Sequence, residues 1–128
     1  MSHIAEVPFR VAATLAAQRI VANITGTAHT CQYPVNTLET QLPLGITTDT
    51  VLDTTGAIPV AIAGVAKLFF NDTVTSGALV AADTSGRGVL YVATSIGAAY
   101  VGVLIGPTVA ATGTIADVLI RPGFGTSA

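Results

Sequence analysis

The chain has 128 residues, of which 51% are hydrophobic and only 9% are charged, and its formal net charge is −2. This length suits a single domain, and a slightly acidic chain offers no cationic surface for phosphates, which argues against direct nucleic-acid binding. Globular domains carry about 25% charged residues, so the low charge and a mean hydropathy of +0.70 predict that another protein chain covers part of the apolar surface.

The sequence predicts no membrane partner and no export signal. A membrane helix needs about 20 consecutive apolar residues, whereas the longest apolar run, residues 57–66, contains Pro59 and Gly64 and ends at Lys67. The N-terminal residues lack the basic start and the apolar stretch of a signal peptide. We therefore expect synthesis in the cytoplasm, and the single Cys31 is compatible with a reducing compartment.

The chain is rich in Thr and Val, which favour strands, and Gly or Pro recurs about every ten residues, which favours turns between short strands. This pattern predicts an all-β domain with little helix. We expect a small, compact β-barrel or β-sandwich-like domain over residues 14–123, preceded by an extended N-terminal arm (1–13) and followed by a flexible tail (124–128). Residues 14–18 are the one candidate for a helical turn. In chain order, strands are predicted over residues 19–24, up to 33 after a turn at Gly26, and over 44–48, 58–70, 78–82, 89–94, 100–105 and 114–120.

The sequence also predicts a bulge, a turn and an end point for these strands. Gly64 predicts a bulge in the longest strand. Residues 83–86, with the sequence Asp-Thr-Ser-Gly, predict a hairpin turn. Pro122 and Gly123 are expected to end the fold.

Two segments of the chain that lie 57 residues apart resemble one another. Gly45-Ile46 matches Gly102-Val103, and Thr55-Gly56 matches Thr112-Gly113. Each copy predicts a buried strand whose Gly allows two backbones to approach, then a turn and a returning strand. Chance similarity in a Thr- and Gly-rich sequence is the alternative interpretation.

The residue patterns that indicate catalysis or metal binding are weak. Lys67 is the only lysine and does not follow a Gly-rich phosphate loop. His29 and Cys31 would share one face of a strand, but a zinc site needs three or four ligands. Asp49 and Asp53 form a carboxylate pair that is more typical of turns than of acid–base catalysis. We expect a protein that is not an enzyme, with no cofactor and no metal site.

Residues 58–67, 74–80, 83–88 and 101–123, taken in order and spacing, resemble the capsid decoration or cement proteins of tailed bacteriophages. The insert over residues 31–42 departs from the usual pattern of that family. The resemblance implies a β domain that assembles as a homotrimer on the outer surface of the expanded virion capsid. There it would clamp neighbouring subunits of the major capsid protein and stabilise the head.

Two other function classes remain open beside this resemblance. A β-rich adhesion or fibre module of a virion would also be rich in Thr and Gly. A small-ligand-binding barrel would need a cavity with a few convergent polar groups.

The N-terminal arm supplies the first hypothesis for a contact surface. Its apolar residues alternate with charges and a proline, which suits a segment lying extended over a capsid subunit, where it adds a strand to a sheet edge. A disordered tail is the alternative. The capsid-contact candidates are Ile4, Glu6, Val7, Pro8, Phe9 and Arg10.

Phe69 and Phe70 supply a second hypothesis. Adjacent side chains on a strand point to opposite faces, so both rings cannot enter one core. We therefore place these two residues at a contact with another protomer or with the capsid.

Overall fold

The computed structural model describes residues 4–11, 15–23, 30–33, 43–48, 57–83, 85–91 and 99–124. Every regular element within these ranges is a β-strand, which confirms the predicted all-β fold. The strands are β1 (Ile4–Val11), β2 (Ile20–Asn23), β3 (Thr30–Gln32), β4 (Pro43–Thr47), β5 (Ala57–Phe69), β6 (Leu79–Ala82), β7 (Gly88–Leu90), β8 (Ala99–Leu104) and β9 (Ile115–Phe124).

The predicted strands over 19–24, 44–48, 58–70, 78–82 and 100–105 match β2, β4, β5, β6 and β8 to within one residue at each end. The helical turn suggested for residues 14–18 is wrong for its described part. Leu15 forms an isolated β-bridge there, and Gln18 has a φ of 61°.

Five strands close into a small barrel. Their order is β1-β3-β2-β4-β5, and a further pairing between β1 and β5 completes the ring. The β1–β3 pair is parallel, and the other pairs are antiparallel. Closure pairs β1 with β5 along most of its length, whereas among the described residues β1 pairs with β3 only at Arg10 and Val11.

The described residues of the predicted N-terminal arm are a strand of this barrel. β1 pairs with β5 from Ile4↔Gly64 to Arg10↔Ala57. Val11 belongs to the barrel core, and Phe9 packs against it. Because β1 is paired with β5 and its apolar side chains are packed in this way, the segment is part of the barrel and not a free arm. The separate arm predicted over residues 1–13 is therefore corrected for residues 4–11.

The remaining strands extend the same sheet beyond the barrel. β5 continues past Gly64, and the order from there is β5-β9-β8-β6-β7, with antiparallel pairs throughout. At the far end, Phe70 forms a parallel bridge with Gly88, and the Asn71 N–H donates to the Gly88 carbonyl at 2.9 Å. The second half therefore curls back onto the end of β5.

The irregularity predicted within β5 lies where the strand passes from one half to the other. The β1–β5 register skips Ile62, between the pairs Ala5↔Ala63 and Glu6↔Ala61. Gly64 follows with a φ of 89°, a left-handed conformation that favours glycine.

The last strand, predicted over residues 114–120, is longer than predicted, because β9 runs on through Pro122 and Gly123 to Phe124. Gly123 pairs with Tyr100, and the β8–β9 register shifts between Tyr100 and Gly102. Such an irregularity accommodates a proline within a paired strand, which explains why Pro122 does not terminate β9.

Two apolar clusters fill the two halves. The barrel cluster consists of Val11, Leu15, Val21, Cys31, Ile58 and Val60, with Phe9, Tyr33 and Leu44 packed against it. The larger cluster lies under β5, β6, β8 and β9 and extends to Ile20 of β2 and Ile46 of β4 on the barrel. Its other members include Leu68, Phe70, Val80, Val101, Leu104 and Val118.

The internal repeat has a structural counterpart in two antiparallel strand pairs, β4–β5 and β8–β9. A Cβ atom placed on Gly45 would lie 1.9 Å from the Ala61 carbonyl oxygen. A Cβ atom placed on Gly102 would lie 2.0 Å from the Leu119 carbonyl oxygen. In both pairs the glycine lets one strand approach the backbone of the next, as predicted; Thr55-Gly56 lies outside the described residues.

Candidate functional site

A row of aliphatic side chains crosses the outer surface of the second half. Val65 pairs with Leu119, Leu119 with Val103, and Val103 with Leu79. Directly opposed residues in a sheet point to the same side, and all four side chains are half-buried. They form a continuous apolar strip over β5, β9, β8 and β6, which we call the outer row.

One ion pair and two isoleucines adjoin the outer row. The Lys67 ammonium lies 3.1 Å from an Asp117 carboxylate oxygen, and the two side chains are 65% and 45% exposed. Ile105 follows the buried Leu104 and is 49% exposed, whereas Ile115 begins β9 and is 45% exposed. The outer row and these neighbours form the outer face: Val65, Lys67, Leu79, Val103, Ile105, Ile115, Asp117 and Leu119.

A shallow groove of about 360 Å³ lies beside the Lys67–Asp117 pair. Its lining also includes Gln18, Thr47 and Thr48. The buried Thr47 hydroxyl donates to the Ala16 carbonyl at 2.7 Å and accepts from the Arg19 N–H at 3.1 Å. This hydroxyl is therefore committed to holding the backbone and is not directed at a ligand.

The second half also contains the predicted hairpin turn between β6 and β7. One carboxylate oxygen of Asp83 accepts from the Ser85 and Arg87 N–H groups, each at 2.9 Å. The other oxygen pairs with the Arg87 guanidinium at 2.8 Å. These contacts fix the turn and confirm its predicted position.

The six capsid-contact candidates lie on β1. Glu6, Pro8 and Arg10 are exposed, whereas Val7 and Phe9 are half-buried; the side chain of Ile4 is outside the description. A Glu6 carboxylate oxygen accepts from the Thr48 hydroxyl at 2.5 Å. The strand therefore presents a polar, mixed-charge strip to the outside of the barrel.

Pro8 limits the ability of the β1 edge to pair with an added strand. Pro8 lies opposite Pro59, and the Pro59 carbonyl faces away from β1, since it accepts from the Thr48 N–H. In an antiparallel pair, the backbone groups of two opposite residues either both face the partner strand or both face away from it. The backbone of Pro8 therefore faces away from β5, toward the side on which β3 lies. On that side, among the described residues, β1 pairs with β3 only at Arg10 and Val11. A proline on that edge supplies no donor, which disfavours the strand addition suggested for the arm.

Phe69 and Phe70 point to opposite sides of β5, as their adjacency predicts. Phe70 is completely buried in the larger core cluster, so it cannot contact a partner at the surface, and its assignment as a contact is corrected. Phe69 is half-buried on the outside, in register with Ile115. The Arg19 guanidinium lies 4.3 Å from its ring centroid, a cation–π contact that steadies both side chains.

Cys31 belongs to the barrel core, where burial raises the pKa of its thiol to about 11. A thiol with such a pKa stays protonated at neutral pH and is a poor nucleophile or metal ligand. His29, Asp49 and Asp53 lie outside the described residues. Across the described ranges, no group of three or more His, Cys, Asp or Glu side chains is placed to hold a metal ion.

Sequence reasoning missed the outer face, although one signal for it was present. In β9 the buried Ala116, Val118 and Ile120 alternate with outward residues, and Leu119 is an aliphatic residue among the outward ones. An aliphatic side chain on the solvent side of an alternating strand indicates a surface that another chain can cover. No helix in the described part of the chain has the length and apolar character needed to span a membrane.

No protein-family model matches this chain, and no curated protein matches it. Among solved structures, it is similar to the crystal structure of the N base of the head fibre gp8.5 in bacteriophage phi29. The two are 12% identical with a TM-score of 0.69, over 93% of this chain and 95% of that one. This likeness shows a common fold along nearly the whole length of both chains.

Proposed function

We propose that this chain is a structural protein of a bacteriophage virion. In this proposal it binds the outer surface of the expanded capsid, contacts the major capsid protein as a homotrimer, and stabilises the head. It acts without catalysis, cofactor or direct nucleic-acid contact. The observation that carries the proposal is the fold it has in common with a phage head-fibre base, which agrees with the decoration-protein resemblance of its sequence.

The physical basis of stabilisation is linkage. A protein that binds only the expanded lattice stabilises that lattice in proportion to its affinity and concentration. A low-charge chain with an apolar outer face and a polar β1 strip has two distinct surfaces for this purpose. We assign the capsid contact to the exposed β1 side chains, Glu6, Pro8 and Arg10, because these are the described members of the original contact hypothesis that reach solvent.

Co-sedimentation with empty heads of the parent phage tests this proposal. We expect saturable binding to expanded heads and little binding to compact precursor shells. Binding to neither shell by a folded protein would contradict the proposal. Deleting the first residues is not a suitable variant, since β1 is part of the barrel wall.

A matched pair of surface variants tests the contact assignment. Arg10→Ala removes an exposed guanidinium from β1, and Arg121→Ala removes an exposed guanidinium from β9 in the other half. We expect Arg10→Ala to weaken binding to expanded heads at least threefold, whereas Arg121→Ala leaves it unchanged. Equal binding by the two variants would remove β1 from the contact.

The structural neighbour specifically favours a second candidate function, the base of a head fibre. Electron microscopy of virions of the parent phage separates the two functions. The base of a fibre has a fibre projecting from its position, whereas a decoration protein leaves only compact density on the shell. Labelling this chain in the virion and looking for a fibre at the labelled positions therefore decides between them.

A further inference from the structure

We infer that the outer face is the surface through which copies of this chain contact one another. This inference rests on the proposed function, because it assigns the protomer contact of the proposed homotrimer. The chain must hide apolar surface somewhere, since it is 51% hydrophobic and 9% charged.

The outer face concentrates that apolar surface. Four large hydrophobic side chains are exposed among the described residues, and two of them, Ile105 and Ile115, lie here beside the outer row. The outer row spans four strands in direct register. Three copies around a three-fold axis can each turn such a row toward the axis, so that it packs against the rows of both neighbours.

The charges on this face favour a second copy over a charged foreign surface. Lys67 and Asp117 lie 3.1 Å apart within each copy and neutralise one another. Contact between copies therefore does not place unpaired charges of the same sign side by side. Both side chains remain exposed and can also reach the opposite charge on a neighbouring copy. A partner with charge of one sign would attract one member of the pair and repel the other, whereas a second copy offers both signs.

The size of the face sets the expected strength of the contact. Four strands about 4.8 Å apart and residues 115–119 of β9, at about 3.3 Å per residue, span about 20 Å by about 16 Å, or about 300 Å². A standard interface takes about 800 Å² from each partner. An assembly held through this face is therefore expected to dissociate on dilution in solution and to be favoured where copies are concentrated on a shell.

Sedimentation velocity over a concentration series tests the inference on the full chain. Ile105→Lys and Ile115→Lys each place a charge on the outer face. Leu90→Lys is the matched control: Leu90 is 41% exposed but pairs with the buried Val80, on the opposite side of the sheet. We expect the wild type and Leu90→Lys to assemble alike, and the two outer-face variants to need at least tenfold higher concentration.

A charge-swap series provides a second measurement that does not depend on the isoleucines. Lys67→Glu places two acidic side chains together within each copy and between copies, and should weaken assembly. The double variant Lys67→Glu/Asp117→Lys restores an ion pair and should restore assembly. Circular dichroism on each variant checks that the fold is intact.

The outcomes separate this inference from the proposed function. Assembly of both isoleucine variants like the wild type would move the contact elsewhere while leaving the homotrimer in place. A wild type that stays monomeric at every concentration would overturn the inference, and co-sedimentation with heads would still decide capsid binding. Capsid binding by variants that no longer assemble would show that the two surfaces are independent.

Discussion

The close approach of β8 to β9 makes Gly102 highly sensitive to a single added methyl group. A Cβ atom at this position would lie 2.0 Å from the Leu119 carbonyl oxygen and 2.9 Å from the carbonyl carbon. Gly102 also pairs with Ile120 in the β8–β9 ladder. The Gly102→Ala variant can therefore relieve the clash only by displacing one paired strand relative to the other.

The magnitude follows from that displacement. The strands must separate locally by about 1.4 Å to bring this contact from 2.0 Å to an ordinary 3.4 Å, which strains a core packed at crystal-like density. Overpacking costs about 1–3 kcal/mol, and each weakened ladder hydrogen bond costs about 1 kcal/mol. Alanine recovers only about 0.5–1 kcal/mol by restricting the unfolded chain. We expect a net loss of about 3 kcal/mol, a large part of the 5–15 kcal/mol typical of a domain.

Urea unfolding at a concentration where the chain is monomeric measures this loss. Gly45→Ala should cost a similar amount, because its Cβ would lie 1.9 Å from the Ala61 carbonyl oxygen in the equivalent strand pair. Gly106→Ala is the control, since the nearest atom to its Cβ, the Asp117 nitrogen, is 3.3 Å away. We expect it to change the free energy of unfolding by less than about 1 kcal/mol. A Gly102→Ala variant within 1 kcal/mol of the wild type, at an unchanged m-value, would refute the reasoning.

Three further predictions follow from polar and buried groups. Thr47→Val should lower the free energy of unfolding by about 1–3 kcal/mol, because two main-chain groups lose the buried hydroxyl; Thr48→Val, at an exposed site, should cost less than 1 kcal/mol in the same urea titration. Asp83→Ala should cost about 1–2 kcal/mol by thermal unfolding, since its carboxylate holds the β6–β7 turn; an unchanged melting temperature would contradict this role. Cys31 is protonated in the folded chain up to a pKa of about 11 and ionises from its ordinary value of 9.0 when unfolded. Its contribution to stability is therefore complete below pH 9 and is lost as the pH rises toward 11; Cys31→Ala should flatten this part of the stability–pH curve, and an unchanged slope would disprove the assignment.

The strands that sequence reasoning predicted correctly are those whose limits are set locally. β5 ends at Phe69, shortly before the sequence Asn71-Asp72, and the turn at Asp83 separates β6 from β7. β-branched and apolar residues between such turns suffice to predict extended chain. Local signals of this kind carry no information about which strands become neighbours.

β1 was mistaken for an arm because its partner lies far along the chain. Pro8, flanked by Glu6 and Arg10, is typical of a segment outside a sheet. In the structure Pro8 lies opposite Pro59, at a place in the ladder where neither strand needs an N–H from the other. Only the register of a pair separated by about 50 residues reveals that both prolines are compatible with the barrel.

The same dependence on register explains where the surplus apolar surface lies. Composition alone predicted that some of this surface is covered, but Val65, Leu79, Val103 and Leu119 become one row only when four strands align without a shift between them. On β1 the corresponding exposed residues include Glu6, Pro8 and Arg10 instead of aliphatic side chains. The second half therefore provides the apolar face, while the barrel, closed by β1, presents the polar side chains of that strand. The proposed function needs one surface for contact between copies and another for the capsid, and the two halves of the sheet on either side of Gly64 offer two such surfaces.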